Sequence, residues 1–200
     1  MPATVIGRNG STAATPANAL PVTVYRIDGS ELEQTFLAEF YASVNIPQFT
    51  AALAANSAIF AIRNGTTRRV KLSLAEISLG FAGTAAASTM QLSIRRFTTA
   101  TPTSGSAVTI VQEDTANATA TSIVDARCAT AAAALTTTGV VVSAPIFVAL
   151  CPRSVTGAVF NYEMQRDLVL NVNEGLIVQY DTAGVIGDAV AVTCYWGEMV

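Results

Sequence analysis

Residues 168–196 constrain the fold more than any other stretch, because their apolar residues recur at every second position. Three runs show this alternation, at 168–172, 176–181 and 190–196, and turn-forming residues separate them. A period of two with turns between the runs is typical of antiparallel strands. The pattern therefore predicts a three-stranded meander whose last strand directs Trp196, the only tryptophan, into the core.

Shorter strand-like runs precede this stretch. They lie at residues 22–27, 58–62, 70–81, 90–95, 107–111, 140–142, 146–148 and 155–164. These runs are too short and too often interrupted by turns for βαβ units. We expect eight to ten strands and an all-β fold, with Pro145 and Pro152 as breaks or as markers of sheet edges.

Two local signals refine this pattern. In the run 70–81, Val70 and Leu72 set one apolar phase and Ile77 sets the other. A change of phase within a strand requires an extra residue, so we expect a β-bulge or sharp bend near residues 75–76. Asn64 and Gly65 form a hairpin signal after the run 58–62, in a loop that the next residues lengthen.

The N-terminal part of the chain has a different sequence pattern. Residues 1–21 lack periodicity and are rich in alanine, threonine, asparagine and proline, which predicts an extended arm. Such an arm is either a tail or a segment that docks on a neighbour. Ser30 and Glu33 then have the spacing of a capping box, so a short helix is expected around residues 31–41. Pro47 disfavours its continuation.

Residues 98–138 have the least regular pattern, and they include a low-complexity run of alanine and threonine. Within it, residues 131–135 fit a helical turn because alanine favours helix. They fit a loop equally well because threonines surround them, and the sequence leaves both alternatives open.

Eight or so strands with long crossing loops favour a jelly-roll-type β-sandwich over an immunoglobulin sandwich. Trp196 follows Cys128, Cys151 and Cys194, so the Cys–Trp–Cys order of an immunoglobulin core is absent. We expect one sandwich domain over residues 22–200, preceded by the arm. The three widely spaced cysteines suit neither a disulfide framework nor a metal site. They predict buried free thiols in a protein made in a reducing cytoplasm.

Charged residues make up only 12% of the chain, and hydrophobic residues make up 51%. This balance suits a protein whose surfaces are covered in an assembly, and equally an ordinary β domain with small surface residues. The net charge of −3 and the single lysine argue against nucleic acid as a partner. We also expect no membrane partner and no secretory signal, since long apolar runs are lacking.

The absence of histidine excludes histidine-based triads and metal sites. Glycine-rich phosphate loops are also missing. A pair of carboxylates could still hydrolyse glycosides, and the candidates are Glu76, Glu163, Glu174, Asp181 and Asp188. Neighbouring glycines explain Glu174 and Asp188 as turn residues, whereas Asp181 should face solvent or a partner.

Glu113, Asp114 and Asp125 offer oxygen ligands of the kind that calcium prefers. Their spacing is not that of an EF-hand, so a solvated loop is the favoured interpretation. We therefore predict no catalytic residue, no metal ligand and no cofactor, and we expect a protein that is not an enzyme.

The run SLGFAGTAAASTMQLSIRRF at residues 78–97, together with the C-terminal strands, resembles virion structural proteins of tailed bacteriophages. Their capsid decoration, or cement, proteins are the nearest class, and many of these are trimeric jelly rolls. The C-terminal half is similar, more loosely, to trimeric jelly rolls of the tumour-necrosis-factor and C1q type. The resemblance spans residues 58–198 as a general sequence pattern and not as a diagnostic motif. The segment 115–138 has no counterpart in it.

This resemblance implies a non-enzymatic protein on the capsid surface of a virion that binds and stabilises the major capsid protein lattice. It also implies a homotrimer, which the apolar residues on both faces of the strand around 176–178 favour independently, since such strands need a covering partner. One alternative is a receptor-binding domain of a tail or head fibre, and another is a carbohydrate-active enzyme.

Overall fold

The computed structural model describes residues 24–25, 31–33, 36–46, 48–113, 120–164 and 168–199. The predicted arm, residues 1–21, lies outside them. Every regular element in the described ranges is a β-strand, so the all-β prediction is confirmed. In the same ranges there is no helix long and apolar enough to cross a membrane.

The strands of the described chain are numbered in order. They are β1 (Val24–Tyr25), β2 (Glu31–Glu33), β3 (Phe36–Ile46), β4 (Ala58–Arg63), β5 (Val70–Phe81), β6 (Thr89–Thr98), β7 (Ser106–Ala107), β8 (Ile110–Gln112), β9 (Asp125–Cys128), β10 (Val141–Pro152), β11 (Val159–Met164), β12 (Leu168–Leu170), β13 (Gly175–Tyr180) and β14 (Asp188–Met199).

Two antiparallel sheets form a sandwich with the topology of a jelly roll. One sheet has the order β10-β6-β13-β4-β9-β7, and the other has the order β11-β5-β14-β3-β8, with β12 also beside β5. The first half of the chain pairs with the second half in reverse, as β3 with β14, β4 with β13, β5 with β11 and β6 with β10. The long strands before β6 and after β10 alternate between the two sheets, and β6 and β10 pair within one sheet, as in two Greek keys. The predicted fold class is confirmed.

The C-terminal stretch contains the three predicted strands, but they do not form a meander. Strand β13 belongs to one sheet, and β12 and β14 belong to the other, where both pair with β5 and not with each other. The prediction of direct pairing was wrong because alternation identifies a half-buried strand without specifying its neighbour. Trp196 does point into the core, where it is 1% exposed and stacks on Phe40 at 6.2 Å between ring centroids.

The predicted bulge in β5 is present, two residues before its expected place. Tyr195 of β14 lies opposite Leu74, and Trp196 lies opposite Leu72, so Ser73 is the extra residue. Buried positions of β5 are even-numbered before this residue and odd-numbered after it. The bulge lets both halves of the strand face the same core.

The described residues of 31–41, which are 31–33 and 36–41, do not form the expected helix. This segment carries β2 and the start of β3, and β3 pairs with β14 along its length from Phe36 to Ile46. Long-range pairing has overridden the local capping signal, as tertiary context often does.

The hairpin signal at Asn64 marks a crossing between sheets, because β4 and β5 lie in different sheets. The buried Asn64 side chain donates its Nδ2 hydrogens to the carbonyls of Arg68, Leu170 and Asn171 at 2.8–3.1 Å. The residue therefore closes this loop by its side chain, which its tendency to form turns did not predict.

The irregular segment between β6 and β10 covers the outer face of the first sheet. It splits the predicted strand 107–111 into β7 and β8, which join different sheets. Residues 131–135 form a loop, the second of the two alternatives, which ends in a β-bridge between Leu135 and Ala58. Leu135 packs on Ile177, Phe97 and Ala61 in a second apolar cluster outside the sandwich. Strand β13 is consequently buried on both faces, and the chain itself covers the residues that favoured a trimer on sequence grounds.

Candidate functional site

Asp188 is the most deeply buried of the predicted carboxylates. It begins β14 and is 0% exposed, whereas its sequence context had suggested a loop residue. Arg153 donates from Nε to its Oδ1 and from Nη2 to its Oδ2, each at 2.8 Å. Its Oδ2 also accepts hydrogen bonds from the Tyr180 hydroxyl at 3.1 Å and the Val185 amide at 3.0 Å. The predicted turn role is present, because the Asp188 carboxylate accepts from the Val185 amide three residues earlier. It is incomplete, because Asp188 is also the centre of a buried network.

This network fixes charges in place rather than moving protons. The hydrogen bonds that Arg153 donates to Asp188 are the main cause that raises the pKa of the Arg153 guanidinium above its usual value. Burial, followed by the charge of Asp188, raises the pKa of the Tyr180 phenol. Arg153 and Tyr180 are thereby each held in the protonated state, the opposite of what general acid–base catalysis near neutral pH needs.

The network also joins the loops at one end of the sandwich. Arg153 follows β10, and its Nη2 donates to the carbonyl of Ala183 at 3.3 Å, in the loop between β13 and β14. Its amide donates to the carbonyl of Ser88 at 2.9 Å, immediately before β6. In the loop between β3 and β4, Phe49 exchanges backbone hydrogen bonds with Asp188 and Gly187. Four loops thus meet around one ion pair.

Asp181 and Glu174 are each held by an arginine of β6. Asp181, expected to face solvent or a partner, is half-buried and accepts hydrogen bonds from Arg95 and Ser93 at 2.7 Å each. Glu174 accepts from Arg96 at 3.1 Å and from the amide of Asn171 at 3.0 Å, so it caps its own turn. The predicted turn role of Glu174 is confirmed.

Glu76 and Glu163 are the two predicted carboxylates that the structure places side by side. They lie directly opposite each other in the register of β5 and β11, where Cβ atoms are about 5 Å apart. Glu163 is exposed and Glu76 is half-buried, on the outer face of the second sheet. A cavity of about 330 Å³ lies elsewhere, where neutral residues of β3, β8 and the segment 120–122 line it.

Two of the carboxylates considered as calcium ligands are described, and the strands at which they lie, β9 and β8, belong to different sheets. Asp125 pairs with Arg127 at 3.0 Å within β9, and Glu113 is exposed after β8. Asp114 lies outside the described residues.

Glu198 is a buried acid that sequence reasoning missed. It is 0% exposed, and its Oε1 accepts hydrogen bonds from the Ser122 hydroxyl and the Ile123 amide at 2.7 Å. Arg68 lies 3.4 Å from its Oε2. Its position in phase with Trp196 was the available signal, since every second residue of that strand faces inward.

The three cysteines are free and buried, as predicted. Burial raises the pKa of Cys128 and Cys151, and it raises the pKa of Cys194 to about 12. A thiol that stays protonated is a poor nucleophile and a poor metal ligand, so these side chains serve as core packing.

The surface that the Arg153 network organises carries no charge. We call it the loop end, and it comprises residues 48–57, 82–88, 154–158 and 182–187, none of which is charged. Its residues are mostly alanine, threonine, serine and glycine, and Ile186 stands out among them at 59% exposed. Comparisons of the chain with models of protein families, with curated proteins and with solved structures found no match.

Proposed function

We propose that this chain is a non-enzymatic virion protein that decorates a capsid and stabilises the lattice of its major capsid protein. The observation that carries the proposal is the distribution of charge over the sandwich. Arginines and carboxylates pair with one another in buried or half-buried ion pairs, at Arg153–Asp188, Arg95–Asp181, Arg96–Glu174 and Arg68–Glu198. The loop end is left without a charged residue.

A neutral surface of this kind suits protein–protein contact. The central parts of protein interfaces are depleted in charged residues, and a charged group that is buried without a partner is costly. Because the loop end has no charged residue, a partner that covers it buries no unpaired charge of this chain. The buried Arg153–Asp188 pair ties its loops together before binding, which lowers the entropy lost when a partner is bound.

The same proposal includes a homotrimer and the N-terminal arm, residues 1–21, as a second point of attachment. Several weak contacts on one assembly multiply into firm binding when geometry allows them to form together. Binding to the assembled lattice then shifts its equilibrium towards the assembled state, since a ligand stabilises the form it binds.

The test uses particles of the virus whose genome encodes the chain. Particles stripped of the protein should open at a lower temperature, and adding purified protein should restore the original value. Ile186→Asp should weaken restoration, whereas Val172→Asp, at an exposed apolar site of the opposite end, should not. Equal opening temperatures with and without the protein would contradict the proposal. Copy counting separates a lattice protein, present in hundreds of copies, from a fibre tip.

The carboxylate pair Glu76 and Glu163 favours one second candidate, a carbohydrate-active enzyme, because the two residues lie opposite each other on β5 and β11 and glycosidases use a pair of neighbouring carboxyl groups. The purified protein should be assayed against bacterial surface polysaccharides. Hydrolysis that Glu163→Gln abolishes and Asp181→Asn leaves intact would replace the binding proposal with this one.

A further inference from the structure

The cavity of about 330 Å³ lies at the side of the sandwich where the chain changes sheets. Val108 stands between β7 of the first sheet and β8 of the second, and residues 120–122 precede β9 of the first sheet. Together with Phe40, Ile110 and Gln112 of the second sheet, they line the cavity.

The apolar side of the cavity continues the main core. Phe40 is 2% exposed and belongs to that core, whereas Val108, Ile110 and Ala120 pack against it and stay half-buried. Protein interiors are close-packed and contain few voids larger than a water molecule. A space of this size is within the range of ligand pockets. An apolar cavity of about 150 Å³ accepts benzene, so this cavity has room for a ring with a short side chain.

Hydrogen bonds fix the segments that surround the cavity. The amide of Ala120 donates to Oε1 of Gln112 at 2.8 Å, which joins the segment 120–122 to β8. The amide of Val108 donates to the carbonyl of Ala126 at 2.8 Å, which joins the start of β8 to β9. The cavity is therefore formed before a ligand enters, and binding requires little ordering of the chain.

The buried acid Glu198 holds another part of the cavity lining. Its Oε1 accepts from the Ser122 hydroxyl and from the Ile123 amide at 2.7 Å each, and Arg68 lies 3.4 Å from its Oε2. Ser122 also accepts from the Val124 amide at 3.1 Å. Glu198 thus positions Ser122 beside the cavity, which gives this buried carboxylate a structural role in the site.

The chemistry of the lining indicates the class of ligand. Gln112, Thr121 and Ser122 supply its polar side chains, and none of the residues that line it is charged. An ionised ligand would lose water without gaining a charged partner in the lining, which is costly. A hydroxyl or amide group of a ligand can instead form hydrogen bonds with amide and hydroxyl side chains.

We propose that this cavity binds a small uncharged molecule with an apolar ring or short chain and one hydroxyl or amide group. The apolar part packs on Phe40, Val108 and Ile110, and the polar group bonds to Gln112 or Thr121. The proposal goes beyond the proposed function and does not depend on it.

Three probes that share a ring and differ in charge test the proposal on the wild-type protein. They are 2-phenylethanol, phenylacetate and 2-phenylethylamine, each titrated at pH 7. Trp196 is the reporter, because it stacks on Phe40 of the cavity at 6.2 Å between ring centroids. We expect 2-phenylethanol to change the Trp196 fluorescence saturably with a dissociation constant of about 1–10 mM, as for a ligand this small. Both charged probes should bind at least about tenfold more weakly.

Ala120→Phe locates the site, because the larger side chain takes up space inside the cavity. It should weaken binding of 2-phenylethanol at least about tenfold. Val111→Phe is the matched control, since Val111 lies next to Ile110 on β8 but is 38% exposed and does not line the cavity, and it should bind as wild type does. If unfolding curves show that Ala120→Phe is not folded, Val108→Phe reduces the same space from another segment.

The absence of a saturable response to 2-phenylethanol up to about 50 mM, well above the expected dissociation constant, would overturn the proposal. Equal binding of phenylacetate or 2-phenylethylamine would overturn the assigned class of ligand. A folded Ala120→Phe or Val108→Phe that binds 2-phenylethanol as tightly as Val111→Phe would show that the probe binds elsewhere and would overturn the site.

Discussion

Removal of one partner of the Arg153–Asp188 pair should destabilise the fold severely. Both side chains are buried, at 2% and 0% exposed, and two hydrogen bonds of 2.8 Å join them. Arg153→Met leaves a buried carboxylate that keeps only its bonds to Tyr180 and Val185. Breaking such a pair costs about 3–5 kcal/mol, because the remaining charge is uncompensated.

The double variant Arg153→Met with Asp188→Asn should be less damaging than the two single variants suggest. Tyr180 and Val185 both donate to the same oxygen of Asp188, so the asparagine carbonyl can still accept both bonds. The double variant buries no charge at this position. We expect a coupling free energy of at least about 2 kcal/mol between the two sites, since contacting residues of one network are not additive.

Urea unfolding followed by the fluorescence of Trp196, which is buried in the core, measures these free energies. For a chain of this size, a loss of about 4 kcal/mol corresponds to a fall of roughly 10 °C in the melting temperature. Arg127→Met is the control, because Arg127 and Asp125 form an exposed pair. It should change the free energy of unfolding by less than about 0.5 kcal/mol. A single variant that costs under 1 kcal/mol, or strict additivity in the double variant, would refute this account of the network.

Two further outcomes are expected. Gly175→Ala should lower the free energy of unfolding by about 3 kcal/mol, because the new Cβ would lie 2.3 Å from the carbonyl oxygen of Ile62. Gly157→Ala, in open space at φ +81°, should lower it by only about 1 kcal/mol. Thermal melts that rank the two variants in reverse would contradict this. Burial raises the pKa of Cys194 from 9.0 to about 12, so its contribution to stability is complete below pH 9 and is lost as the pH rises towards 12. Between pH 8.5 and 10.5, wild type should lose about 2 kcal/mol more free energy of unfolding than Cys194→Val, and parallel pH profiles for the two proteins would count against it.

Strand positions could be predicted from the sequence because each strand buries one face. The alternation around Trp196 and the phase change in β5 depend only on which residues face the core, and both were found. Pairing partners could not be predicted, because alternation is the same whichever strand lies alongside. The capping signal at Ser30 and Glu33 misled for a related reason, since β3 gains far more from pairing with β14 than a short helix gains from its cap.

The candidate site was harder to predict than the fold. Asp188 and Glu174 both stand beside glycines in the sequence, yet one is buried against Arg153 and the other caps an exposed turn. Their partners lie 35 and 78 residues away along the chain. Only tertiary structure decides which arginine meets which carboxylate, so local context cannot distinguish a buried ion pair from turn chemistry.

Apolar residues on both faces of a strand have two different causes in this chain. In β13, Ile177 is covered by Leu135 from the segment between β6 and β10, so its second apolar face is an internal interface. In β10, Val141 and Val148 remain 59% and 41% exposed, and no described segment lies over them. The two strands look alike in sequence, because a strand has an apolar outer face whether another segment of the chain or a partner covers it. The exposed fraction separates them, and it leaves β10 rather than β13 with an apolar face that is open to a partner.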